Sequence, residues 1–162
     1  MKGLAETEAV YLVDAGDALF KYPYIAEDQS ERLKETAQAI ISSYNVMECQ
    51  VMNVGTNDLA AGLDFILEME KTARFPFISA NTQDASTDEF LFEPYAIIET
   101  QDQTLGFVGV TKGDHRVKEF TFSEPVEAAQ KAIDEIKDKV DLVFLMANVD
   151  DKLERTLTAE VK

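Results

Sequence analysis

Three apolar runs in this sequence stop at the same kind of ending. The run over 9–17 (AVYLVDAGD) passes into Asp14, Gly16 and Asp17, that over 51–58 (VMNVGTND) into Asn57 and Asp58, and that over 142–151 (LVFLMANVDD) into Asn148, Asp150 and Asp151. A short continuous apolar run of this kind reads as a buried strand whose carboxyl end opens onto a loop. In α/β sheets, ligands bind at such carboxyl ends. Three of them predict one shared edge that carries a site, or the remains of one.

The intervening sequence supplies the other elements. Capping-box spacing at Asp28 and Glu31, followed by Leu33, Ala37, Ile40, Ile41 and Tyr44 on one face, predicts a helix from Asp28 or Ser30 to Asn45. A strand over 48–54 and a helix from about Leu59 come next, then a short strand over 77–80 and a polar loop over 83–89. Extended runs over 92–100 and 105–111, separated by Gln101, Asp102 and Gln103 with no helix between, predict an antiparallel hairpin. A short strand over 119–122 precedes a helix capped by Ser123, with Pro125 in its first turn. The last strand, over 142–146, leads to a short polar helix near the C-terminus. The order predicts an α/β fold with a mixed sheet, and 162 residues suit one domain.

Charge narrows the function. The formal net charge is -16, which repels a phosphate backbone and argues against nucleic acid as a partner. No run is long enough to span a membrane, so no membrane partner is expected. The opening residues hold no apolar signal core, so a cytoplasmic location is expected, with a periplasmic origin after signal removal left open. The lone cysteine, Cys49, lies in a mostly apolar stretch and reads as a buried structural thiol.

Carboxylates at adjacent strand ends can hold divalent cations that activate water at a phosphoryl group. Asp14, Asp17, Asp58, Asp150 and Asp151 are candidates by position, with Asn57, Asn81 and Asn148 as weaker oxygen donors. The same residue types are also the usual caps and turn formers after strands. The single histidine, His115, sits among charged residues and reads as an exposed loop side chain. Phe20, Tyr22 and Tyr24 read either as loop packing or, with Asn81, as a ligand-stacking platform. No P-loop, GxGxxG or GxSxG motif is present.

Block by block, the chain resembles the calcineurin-like metallophosphoesterases, in their bacterial 5'-nucleotidase branch. LVDAGD is similar to the family's strand running into GD, and GTNDLAAG (55–62) to its GNHEFDxG block. PFISAN, FEPYAIIET, LGFVGVT and DLVFLMAN follow in the family's order and spacing. The resemblance implies a partial α/β/β/α sandwich, a single truncated domain over 1–162 without counterparts to the family's opening aspartate–histidine block or its closing GHTH-like block. It places Asp17 on the acid that bridges two metals and Thr56 on a metal-ligating asparagine. Asn57 falls on the histidine that stabilises the transition state, Asp58 on the acid behind it, and Asn148 on a metal-ligating histidine.

Only Asp17 keeps the family's ligand chemistry, since amide and hydroxyl oxygens bind transition metals far more weakly than imidazole. The expectation is therefore a non-catalytic 5'-nucleotidase-like protein acting by binding or assembly, without a cofactor. One alternative is a phosphoesterase with a rebuilt oxygen-ligand site for Mg or Mn, and another is a metal-free binder of nucleotides or small ligands. Uncovered sheet edges imply a homo-oligomer or a protein partner.

Overall fold

Side chains on successive strand residues point to opposite faces, and that alternation divides this chain into layers. The computed structural model describes residues 10–162; the expected polar leader and the start of the expected strand at Ala9 lie outside them. Strands β1 (Val13–Asp14), β2 (Val51–Asn53) and β3 (Phe77–Ile78) form a parallel sheet in that order. Met52 and Val54 pack with Ala37 and Ile41 of α1 (Ser30–Val46) and with Phe65, Ile66 and Met69 of α2 (Leu63–Thr72). Val51, on the opposite face, packs with Ile78 against Leu105, Phe107 and Met146 of a second sheet.

That second sheet has the order β5 (Tyr95–Glu99), β6 (Thr104–Thr111), β8 (Leu142–Asn148). β5 and β6 form the expected antiparallel hairpin, and β8 runs parallel to β6. Val108 and Val110 on the far face of β6 pack against α3 (Pro125–Ile136), and Leu157 of α4 (Asp151–Glu160) joins that cluster. Three apolar clusters thus glue four layers, helices–sheet–sheet–helices, as an α/β/β/α sandwich.

Local details depart from expectation. Gln83 and Asp84, the start of the expected polar loop, instead extend with Thr82 as strand β4 (Thr82–Asp84), paired antiparallel with β7 (Phe120–Phe122) in a separate ribbon. The N-cap of α3 is Glu124 rather than Ser123, with Pro125 at the first helical position. Gln29, not Asp28, caps α1, without a side-chain hydrogen bond, because Glu27–Gln29 forms a preceding 3-10 turn. Cys49 is buried as expected.

Candidate functional site

β1, β2, β6 and β8 end on one edge of the sandwich, and their loops meet there. A cleft of about 250 Å³ on this edge is lined by Asp17, Thr56, Asn57 and Asn148, together with Lys112, Asp114, Arg116 and Asp150. Positions far apart in sequence, all on the segments just beyond strand ends or at them, are brought together by the topology.

Two glycines allow the loops to touch. Gly16 takes a φ of +107°, and a Cβ there would lie 2.7 Å from the Gly55 nitrogen. At Gly55 a Cβ would lie 2.4 Å from Asp17 Oδ1 and 2.9 Å from Asn148 Cγ. Asp17 itself adopts φ 67°, a left-handed conformation uncommon outside glycine.

Asp58 holds these loops in place from beneath. Its fully buried carboxylate accepts three backbone N–H bonds of 2.8 Å, from Asp17 and Gly55 on Oδ2 and from Leu19 on Oδ1. Burial pushes its pKa up to about 7, against the pull of the three N–H donors, with the Asp17 charge adding to the rise. Asp14 plays a similar part nearby: Oδ1 accepts from the Gly16 N–H at 2.7 Å, and the Tyr44 hydroxyl donates to Oδ2 at 2.6 Å. Burial, then the bond to Asp14, raises the Tyr44 hydroxyl well above its usual range.

The polar groups on the cleft bond to one another. Asn57 donates to both Asp17 oxygens, its backbone N–H to Oδ1 at 2.7 Å and its Nδ2 to Oδ2 at 3.0 Å. The Thr56 and Thr111 hydroxyls lie 3.2 Å apart in the interior, and Thr111 Oγ1 reaches Asn148 Oδ1 at 3.4 Å. Lys112 pairs with Asp150 at 2.5 Å and Arg116 forks onto Asp114 at 2.9 and 2.6 Å. The Arg116 guanidinium holds the Asp114 carboxyl well below the usual carboxylate range, and Lys112 lowers that of Asp150.

A binuclear metal centre of the kind the resemblance implies does not fit this donor set. Asp17 is the one carboxylate among the family positions on the cleft, both its oxygens accept from Asn57, and the other family positions there, Thr56, Asn57 and Asn148, carry neutral side chains. Asp58 has its oxygens turned to backbone N–H groups. Among the described residues, no three His, Cys, Asp or Glu side chains converge as a metal site.

Phe20 and Asn81, expected at a ligand pocket, lie elsewhere. Phe20 is buried against Phe65, with ring centroids 5.8 Å apart. Asn81 is buried, donating to the carbonyls of Thr111 and Ser123 and accepting from the Thr111 N–H, so its amide ties β6 to the chain entering α3. Tyr22 and Tyr24 are instead exposed and stacked at 5.8 Å, flanking Pro23, which lines the cleft. Lys21 lies over the Tyr22 ring and Arg116 over that of Tyr24. His115 is exposed, as expected. Lys112, Asp114 and Arg116, the charged neighbours of His115, are not singled out by the sequence, although Lys112 directly follows the end of β6 and the strand-end rule reaches it.

No family model matches the chain. It is 27% identical over 149 residues to Protein UshA of Escherichia coli (strain K12), covering 86% of this chain and 26% of that protein. It is 26% identical over 154 residues to the 5'-nucleotidase of Vibrio vulnificus, covering 90% of this chain and 27% of that protein. The chain therefore spans about a quarter of the length of these curated relatives. In structure it is similar to the calcineurin-like phosphoesterase YfkN from Bacillus subtilis, with a TM-score of 0.67 at 24% identity over 85% of this chain and 47% of that one.

Proposed function

Because the chain is 5'-nucleotidase-like in sequence and carries the calcineurin-like phosphoesterase fold, we propose that it is a non-catalytic unit of that kind, acting by binding or assembly. One observation carries the reading: the polar groups at the family's metal positions are each bonded to a neighbouring polar group. Asp17 accepts from Asn57 twice, and the Thr56 hydroxyl faces that of Thr111. A cation at those positions would have to displace bonds already made and would find one carboxylate there, Asp17, the Asp114 and Asp150 carboxylates being paired with Arg116 and Lys112.

The test is hydrolysis of a nucleoside 5'-monophosphate and of bis-p-nitrophenyl phosphate with added Mn²⁺ or Mg²⁺. Wild type and Asp17→Ala should both stay at the buffer rate. Turnover in the wild type that vanishes in Asp17→Ala would establish the phosphoesterase with a rebuilt oxygen site instead.

The stacked Tyr22–Tyr24 pair favours a second reading, metal-free binding of a nucleotide. Its rings are exposed beside the cleft and could stack a base, with Lys21 and Arg116 adjacent. Quenching of tyrosine fluorescence by a nucleoside monophosphate, lost in Tyr22→Ala, would support it; an unchanged signal would remove it.

Assembly has its own candidate surface. β8 is a sheet-edge strand with no charged residue, and Leu142 and Phe144 are each 45% exposed. Natural edges normally carry charge, proline or a bulge to prevent pairing. A second copy covering this edge is the assembly proposed.

A further inference from the structure

A larger cavity, of about 530 Å³, lies between α2, the end of β3, the segment 90–94 and α3. It shares no lining residue with the strand-end cleft, so it is a separate place on the molecule. Its lining divides sharply by chemistry. Ala80, Phe92 and Ala132 are buried in its wall, with Leu91 and Pro94 beside them, and Phe90 is 55% exposed. The ionisable residues are Glu70, Glu93, Glu124, Glu127 and Glu135, against one cation, Lys131.

Among the described residues, none of these six takes part in an ion pair. Burial raises the Glu70 carboxyl above its ordinary range; Lys71 opposes that rise and the charge of Glu93 adds to it. A concave apolar surface ringed by carboxylates without an ion-pair partner, Glu70 half-buried and Glu93, Glu124, Glu127 and Glu135 exposed, leaves two costs standing, exposed hydrocarbon and a like-charge repulsion softened by solvent. One ligand chemistry relieves both. A compact divalent cation does not suit the site, because no three acidic groups converge as a metal site among the described residues and hard cations need closely grouped oxygens. Carboxylates set apart around hydrocarbon match positive charges set apart along hydrocarbon. The volume lies within the range typical of small-molecule sites.

We propose that this cavity binds an aliphatic amine bearing two or more ammonium groups, with its methylenes on Phe92, Leu91 and Ala132 and its ammonium groups on the flanking glutamates. Each ammonium would donate charge-assisted hydrogen bonds to carboxylate oxygens. The apolar wall would discriminate such an amine from an inorganic cation of equal charge.

Titration of the full chain with spermidine by isothermal calorimetry tests this, at about 0.15 M ionic strength so that diffuse surface attraction is screened. The expected result is saturable one-to-one binding, weakened roughly tenfold or more in Glu70→Gln/Glu93→Gln through loss of two charged acceptors. The same titration of Glu154→Gln/Glu160→Gln, on α4, should match the wild type. Amide resonances of residues 90–94 should shift on adding spermidine to the wild type, a readout independent of any variant's stability. Absence of saturable binding, or equal weakening in both double variants, would overturn the proposal, the latter pointing to attraction by the overall charge of -16. Binding of a lysine-rich peptide at residues 90–94 with none of spermidine would overturn it in favour of a protein partner.

Discussion

Replacing Gly55 by alanine should damage the strand-end edge more than its single added methyl suggests. The new Cβ would lie 2.5 Å from the backbone nitrogen of Asp17, as well as 2.4 Å from its Oδ1. That is roughly an ångström short of ordinary contact, and a backbone atom cannot swing aside. The Asp17 and Gly55 nitrogens both donate to Asp58 Oδ2 at 2.8 Å, so the loops cannot separate without stretching at least one of these bonds. Overpacking costs about 1–3 kcal/mol, and a lost bond to a buried carboxylate adds about 1.5–3 kcal/mol. The expected destabilisation is therefore about 3–5 kcal/mol, or roughly 6–20 °C in Tm at this chain length. Urea unfolding followed by circular dichroism measures it, as a lowered midpoint at unchanged m. Gly106→Ala is the internal control: its Cβ meets Ile136 Cδ1 at 2.7 Å, the movable end of a side chain, and should cost less than about 1.5 kcal/mol. A Gly55→Ala cost below about 1 kcal/mol, or one equal to that of Gly106→Ala, would refute the close approach as the cause.

Other perturbations probe neighbouring parts. Asp58, at about 7 in the fold against an ordinary 3.8, holds its proton more tightly folded than unfolded. Its protonated form thus stabilises the fold fully below about pH 4, and that contribution is lost as pH rises to about 7. Asp58→Asn should remove this part of the pH dependence, so that the stability difference from wild type shrinks as pH rises across the interval; parallel stability–pH curves would contradict it. Tyr44→Phe removes the 2.6 Å bond to Asp14 and should cost about 1–2 kcal/mol in urea unfolding, whereas no change would mean the bond contributes nothing. Phe144→Lys should convert a dimer to a monomer by light scattering if a second copy covers the β8 edge; a wild type that is monomeric at all concentrations would sink that assembly.

The layered fold was legible because its strands are apolar runs with polar endings and its helices repeat at helical spacing. The hairpin at Gln101, Asp102 and Gln103 could be read from the short separation of its strands. β4 could not: Thr82, Gln83 and Asp84 show no apolar alternation, and they extend only because Phe120, Thr121 and Phe122 pair with them. At the site, the meeting of Asp17, Thr56, Asn57 and Asn148 followed from their shared position at strand ends and from the family resemblance. What each group bonds to did not. That Asp58 faces three backbone N–H groups, two of them on residues 39 and 41 positions away, depends on how the loops close around it. Phe20 turns inward against Phe65 while Tyr22 and Tyr24 stay out and stack on each other, which the run of aromatics alone did not reveal.

If the family's metal positions are closed by neighbouring polar groups here, the protein should hold manganese poorly, and equilibrium binding of Mn²⁺, followed by electron paramagnetic resonance of the free ion, reads this out without any substrate. Only weak association is expected, not lessened by Asp17→Ala. Two equivalents bound tightly by the wild type, and lost together in Asp17→Ala, would contradict it.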